Sequence, residues 1–353
     1  MNRCRVVAMV ASVLPCAAVI GLLAQPPATS PADALPPHIT RITWFGEQPE
    51  WRPDGKRILF LSKVFGDVYE YELATRRIYP ITDHFTHFGF TSAKYLSNGD
   101  ILLSGPKEGF NRTDPDARQH AREVCYLSVL DKTLTKPPAP LGVVCQEMPA
   151  VSRRQLRAAW THGGPGTRQD RISIGDIVYS NGTPALTNVR QVLASSDFPA
   201  NERPTPWIET QNFVPPDDRQ ITVTAYEVNG TANTETFLFD LATRELKNLT
   251  HSPDYYDECE GIFPDGKHTL IERTEHHGNH WPLADTFKLA LDGSGRVERL
   301  TRFTDYPGYK GTQGAVSDDG RFMVFQIGRS GTESGQGFGF FLFDFAAFKG
   351  TRR

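Results

Sequence analysis

Short apolar runs, strictly alternating or nearly continuous, recur along this chain and are separated by turns rich in Gly, Pro and Asp. Runs of about four to eight residues with that texture are the pattern of half-buried or buried β-strands. The first group is the clearest. Glu50–Arg52 leads into the turn Pro53-Asp54-Gly55, and Ile58–Lys63 follows. A loop leads to Asp67–Leu73, and a turn at Ala74-Thr75-Arg76 gives Arg77–Thr82. No segment sustains a helical period, so the pattern predicts an all-β chain.

The same grammar repeats. A short strand ends in a Pro-Asp-Gly type of turn, two strands follow, and a fourth ends in Leu-Thr or Ile-Thr. The second unit turns at Ser97-Asn98-Gly99 and continues as Asp100–Ser104 and Val124–Leu130, with the polar insert 106–122 expected as a surface loop. The third is the least regular: Met148–Ser152, Gln155–His162, Arg171–Tyr179 and a strand near Arg190–Ala194. The fourth is Gln211–Val214, Gln220–Val228, Thr236–Leu241 and Leu246–Thr250. The fifth is Glu260–Phe263, His268–Thr274, Asp285–Leu291 and Val297–Thr301. The sixth has Gly314–Ser317, Phe322–Ile327 and Phe338–Phe345, and then lacks its Leu-Thr strand. That strand is found at 38–43, ahead of the first unit, where it ends in Arg41-Ile42-Thr43. A strand borrowed from one end of the chain to complete the last repeat is how a circular array closes. The expectation is a six-bladed β-propeller closed by an N-terminal strand, filling 38–350 as one domain.

These units resemble the TolB-type, WD40-like propeller repeats, whose mark is the Pro-Asp-Gly turn between the first two strands and the Leu-Thr end of the fourth. The resemblance spans nearly the whole chain after residue 37 and is sharpest in units one, five and six. It implies a six- or seven-bladed periplasmic propeller and no single function, since such propellers bind protein partners, carry catalytic sites or precede peptidase domains. A more distant similarity is to the propeller-type oligogalacturonate lyases, which use a His/Gln metal site at the propeller centre. No matching motif is found here, so no residue is carried across. Gly-x-Ser-x-Gly is absent, so no serine hydrolase elbow is expected.

Composition narrows the partners. Net charge is -3, from 38 basic and 41 acidic residues, which gives no reason to expect nucleic acid or an anionic membrane surface. Arg3 and Arg5 precede an apolar run from Val6 to Ala24, with Leu22-Leu23-Ala24 as a passable cleavage site. Residues 1–24 therefore read as a signal peptide and 25–37 as a Pro/Ala linker, with an uncleaved anchor as the alternative. Pro15 before Cys16 disfavours a lipidated Cys. Export implies the periplasm or outside, with no membrane contact beyond the export signal. Outside that segment stand Cys125, Cys145 and Cys259; a Cys125–Cys145 disulfide between neighbouring strands and three free thiols are both open readings.

Strand direction sorts the loops between two faces. The Pro-Asp-Gly turns and the turns before each fourth strand open on one face, and look like structural punctuation. Loops entering each blade and loops between its second and third strands open on the other, here called the near face. Eight of the ten His (84, 87, 120, 162, 251, 276, 277 and 280) fall in near-face loops. The starts of the inner strands face the channel, and bring Gln48, Gln146 or Glu147, Gln211, Glu258 or Glu260, and Gln313 into a ring of amides and carboxylates. Such a ring suits a polar ligand or an ion, or only a water-filled channel.

In blade five, Glu275-His276-His277-Gly278-Asn279-His280 invites a divalent-metal reading through His276, His277 and His280, with Glu258 or Glu260 completing the site. Adjacent His276 and His277 point opposite ways in extended chain, so a substrate-contacting or purely structural loop stays open. Lys310 and Arg329 lie on the same face and are placed to meet an acidic group. Tyr255, Tyr256, Tyr306, Tyr309 and Trp281 offer rings for stacking. The expected function is binding of a periplasmic protein or polar polysaccharide at the channel mouth. The alternative is a metal-assisted lyase or hydrolase acting on an acidic, uronate-like glycan, with His276 or His280 as ligand or base.

Overall fold

The first strand is β1 (Ile39–Arg41), which pairs with nothing near it in sequence. Six groups follow. Blade one is β2 (Glu47–Trp51), β3 (Arg57–Leu61), β4 (Val68–Glu72) and β5 (Arg77–Pro80). Blade two is β6 (Ser92–Tyr95), β7 (Ile101–Gly105), β8 (Cys125–Leu130) and β9 (Ala139–Cys145). Blade three is β10 (Ala150–Val151), β11 (Arg157–His162), β12 (Arg171–Ser180) and β13 (Thr183–Ala194). Blade four is β14 (Ile208–Phe213), β15 (Gln220–Tyr226), β16 (Thr234–Asp240) and β17 (Leu246–Asn248). Blade five is β18 (Asp257–Ile262), β19 (His268–Arg273), β20 (Asp285–Ala290) and β21 (Val297–Arg299). Blade six is β22 (Tyr309–Val316), β23 (Phe322–Arg329) and β24 (Phe340–Asp344). The computed structural model describes residues 29–146, 148–163, 170–205, 207–277, 283–332 and 338–350. The expected signal segment 1–24 lies outside them, and no described helix is long and apolar enough to cross a membrane.

The ring closes as the repeats predict. β1 pairs antiparallel with β24, Ile39 opposite Phe343 and Arg41 opposite Phe341, giving a sixth four-stranded sheet. The Leu-Thr ending has a physical reason. In each regular blade the Thr hydroxyl accepts the first free amide of the third strand: Thr82 from Val68 at 3.1 Å, Thr250 from Thr236 at 3.2 Å, Thr301 from Thr286 at 2.9 Å. Thr43 does the same for Phe340 at 3.0 Å, although it lies at the other end of the chain. The borrowed strand therefore occupies the same bonding position as its three counterparts in blades one, four and five. The opposite turns are held by Asp54, Asp265 and Asp319, whose carboxylates each accept the amide two residues on, while Gly55, Gly266 and Gly320 take the left-handed conformation that closes the turn.

The core is a circle of interfaces. Each apolar cluster joins one blade to the next: Leu59, Leu61 and Val68 meet Ala93 and Leu103, and Phe325 and Phe341 meet Phe263 and Leu270. Ala315, Val324 and Phe340 of blade six pack on Trp51, Ile58 and Phe60 of blade one, so the seam is as apolar as the others. A fully buried side chain such as Phe60 or Phe340 contributes about 1.5–3 kcal/mol through burial.

Three expectations need correction or resolution. The insert 106–122 contains a helix, α1 (Pro115–Glu123), rather than loop alone. Asp114 caps it, accepting from the amides of Asp116 and Ala117, and Pro115 sits at its first position. None of its residues is buried, so burial periodicity left no mark in the sequence. The fourth strand of blade three is twelve residues long, not the short segment near Arg190–Ala194. Its partner hairpin turns at Asn181-Gly182, both with positive φ, a two-residue turn that the polar Thr183–Gln191 stretch disguised. Cys125 and Cys145 do face each other across β8 and β9, and both are buried thiols not joined in a disulfide, as is Cys259.

Candidate functional site

Inner strands β2, β14, β18 and β22 each carry a β-bulge, between Glu47 and Glu50, Thr210 and Asn212, Cys259 and Ile262, and Thr312 and Ala315. A bulge re-aims the side chains of its extra residue. Here it turns Gln48, Gln211, Glu260 and Gln313 toward the channel, all four of which line it. Gln48 and Gln313 do so in the left-handed region, with φ of 49° and 55°. The amide they expose is satisfied by the previous blade. Gln48 N donates to Gln326 Oε1 at 2.8 Å, and Gln313 N donates to Glu272 Oε1 at 2.9 Å.

At the near face the channel widens into a cavity of about 250 Å³ lined by Glu209, Tyr226, Tyr256, Glu258, Glu272 and Lys310 among others. Blade five supplies its chemistry. Glu258 and Glu272 are directly opposed across β18 and β19, an arrangement of like charges that destabilises a sheet. Glu260 joins them, and carboxylate oxygens of the three lie within 4.8 Å of one another. Two tyrosines hold Glu258. Tyr226 donates to Oε1 at 2.5 Å, with Glu209 Oε2 3.0 Å from the same hydroxyl, and Tyr256 donates to Oε2. Gln211 Nε2 donates to Glu209 at 3.3 Å. The rings of Trp207, Tyr226 and Tyr256 meet edge to face, and Trp207 is exposed.

Burial and crowding set the protonation. Burial first, then Glu272 and Glu258, hold the Glu260 carboxyl well above the usual range. Glu272 is also raised by burial, with Lys310 opposing. Both tyrosine hydroxyls are pushed up by burial and then by the glutamates around them. Burial takes the Cys259 thiol up to about 11, so it is an inert core group and not a nucleophile.

Lys310 also borders a second near-face cleft of about 460 Å³ between α1 and blade six, lined by Arg118, Arg122 and Arg329. The Arg329 guanidinium lies over the Tyr309 ring at 5.2 Å. Among the residues expected from the sequence, Gln48, Gln211, Glu258, Glu260, Lys310 and Gln313 thus surround one channel, and Arg329 stands beside it. Tyr306 does not. It packs against the blade-six core and lines an outer cleft beside His38 and Phe348.

The skew of His toward the near face does not become a cluster. No described His lines the channel at either end. His84 contacts Lys136 O, His87 pairs with Asp67, His162 with Ser173, and His251 lies 3.7 Å from Glu202. His276 is exposed, His277 caps a turn through its backbone amide, and His280 and Trp281 lie outside the described residues. Among the described residues, the only group of metal-ligating side chains that converges is Glu258, Glu260 and Glu272. Glu272 and Glu209 were missed by the sequence reading, as were the α1 arginines. The signal for Glu272 was a carboxylate inside the otherwise apolar second strand of blade five, at the place where β19 must pair with Glu258.

No protein-family profile matches the chain, and no curated protein sequence does. Solved structures do. An oligogalacturonate lyase in complex with manganese superposes with a TM-score of 0.51 at 13% identity, covering 85% of this chain and 77% of that one. A gluconolactonase from Xanthomonas campestris gives 0.52 at 10% identity, covering 87% and 89%. TolB from Acinetobacter baumannii gives 0.42 at 17% identity, covering 81% and 63%. At such identities the likeness shows the fold alone: this chain is a six-bladed β-propeller, similar in fold to the oligogalacturonate lyase and the gluconolactonase.

Proposed function

We propose that this propeller is an exported module that binds an acid-bearing glycan across its near face. The observation that carries the reading is Lys310, which belongs to both near-face cavities at once. On one side stand Arg118, Arg122 and Arg329, suited to a carboxylate or other anion. On the other stand carboxylate acceptors for sugar hydroxyls and the rings of Trp207 and Tyr226 for a sugar face. A uronate carries both kinds of group on one ring. Similar folds in an oligogalacturonate lyase and a gluconolactonase indicate only that the scaffold admits such ligands.

The test is calorimetric titration with a short oligogalacturonate and, as control, a neutral oligosaccharide of equal length. Binding of the acidic one should fall roughly tenfold or more in Lys310→Glu and Arg329→Glu, the weight of a charge-assisted bond. Lys56→Glu and Lys267→Glu, beside the far-face turns, should leave it unchanged. No binding by the parent, or equal losses in both sets, overturns the reading. A protein partner at the same face would appear as the first of these outcomes.

A second reading, a lyase or hydrolase for the same glycan, is favoured by one feature. Glu272 is a raised carboxyl near Lys310, with the raised Glu260 against it, the kind of group that serves as general acid. Formation of unsaturated ends or new reducing ends from the oligogalacturonate would decide for it, with loss in Glu260→Gln.

A further inference from the structure

Blade five spends stability on a carboxylate the fold does not need. Glu272 and Gln326 occupy the same place relative to the Gly266 and Gly320 turns, and both accept the bulge amide of the next blade. In blade six a neutral Gln performs that bond. In blade five the acceptor is a carboxylate, opposed across the sheet to Glu258 and close to Glu260. Two further observations point to a missing positive partner. Glu260 shares a hydrogen bond with Glu272, but its Oε1 is buried with no partner outside the carboxyl cluster, and the residue is 9% exposed. Thr312 Oγ1, on a residue 1% exposed, also has none, and Thr312 lines the same cavity as Glu258 and Glu272.

We infer that Glu258, Glu260 and Glu272 form a binding site for one hard divalent cation of the Ca²⁺, Mg²⁺ or Mn²⁺ kind. The donor set is oxygen only, which excludes the softer preferences of zinc or copper. Fully ionised, the three carboxylates and Lys310 sum to two negative charges, which a divalent ion neutralises. Tyr226 and Tyr256 fix the Glu258 carboxylate from behind, the outer-shell orientation that metal ligands ordinarily receive. This site replaces the His276/His277/His280 set as the candidate metal centre and does not depend on the glycan reading.

The probe is the metal alone. Purified chain stripped with chelator and desalted is titrated separately with Ca²⁺, Mg²⁺ and Mn²⁺ by calorimetry, and with Tb³⁺ by luminescence sensitised through the neighbouring tyrosines. One equivalent of at least one divalent ion is expected to bind and to raise the melting temperature. Glu272→Gln, which Gln326 shows the fold accepts, should weaken it at least tenfold, and Tyr226→Phe about tenfold. His276→Ala and His277→Ala should bind as the parent does. Absence of saturable binding by the parent, or binding in Glu272→Gln equal to the parent with unchanged stoichiometry, overturns the inference. Loss in the His variants with retention in Glu272→Gln would return the site to the loop.

Discussion

The two ends of the channel carry similar residues and treat them differently. At the far end Glu50 lies 3.2 Å from Lys94 and 3.6 Å from Arg153, and Arg153 also pairs with Asp318 and donates to Val316 O at 2.9 Å. Two cations and two anions are thus matched, and the space left is about 50 Å³. At the near end Glu209, Glu258 and Glu272 line the opening with Lys310 and Arg122, Glu260 lies just below them, and the space is about 250 Å³. The far end is a staple: Arg153 ties blade three to blade six across the channel. The near end concentrates like charge around an opening. Charge that is paired holds the fold, whereas charge that is crowded beside a cavity is what a ligand or ion resolves.

The largest effect should come from breaking the ring that both ends share. Deleting residues 25–44 removes the β1–β24 ladder and the Thr43 cap and exposes two sheet edges. The expected loss is several kcal/mol, a large share of a domain's stability. A deletion variant that melts with the parent would mean the seam contributes nothing and the two mouths are independent.

The staple comes next. Arg153→Ala strips Asp318 of its partner and leaves Glu50 to Lys94 alone, and should lower stability by about 2 kcal/mol in urea unfolding, less than a fully buried pair because these groups are partly exposed. It should leave cation and glycan binding at the near end untouched. A weaker near-end affinity in this variant would show the two ends to be coupled.

Burial without crowding gives a control of similar or smaller size. Asp170, at the start of β12, is buried with its carboxyl raised to about 6, mainly by desolvation, and Ile208 N donates to it at 3.4 Å. Unfolded, it titrates near 3.8. Between those values the native state holds more protons than the unfolded one, so stability falls as pH rises from about 4 to about 6 and stays lower above. Asp170→Asn should remove that slope and gain roughly 2 kcal/mol at neutral pH. Urea midpoints across pH 4 to 8 that stay parallel in parent and variant would remove burial as the cause.

The contrast between the ends was half legible in the sequence. The Asp-Gly turns and Thr endings located blades one, four, five and six and the missing strand, because each residue there has a local bonding role that repeats. The ring of Gln48, Gln211, Glu260 and Gln313 was legible because inner strands start at the channel. What a sequence without a bulge count does not reveal is register. Glu258 meets Glu272 only once β18 and β19 are aligned residue by residue, and Tyr226 comes from another blade. The His excess was the more conspicuous signal and led elsewhere, since loops on one face need not converge. Helix α1 left no apolar period because nothing in it is buried.

The smallest predicted effect has the opposite sign from the staple, and that sign is its value. In chelator, Glu272→Gln keeps the acceptor for Gln313 N and removes one of three crowded carboxyls. Stability should rise by about 1 kcal/mol, an ordinary gain where a site has been kept at the expense of the fold. Adding the cation should reverse the order, because the parent then gains binding free energy that the variant lacks. Arg153→Ala, in contrast, should stay below the parent with or without the ion. If Glu272→Gln is destabilised in chelator as Arg153→Ala is, the near-end carboxylates are structural, and the two ends of the channel differ only in width.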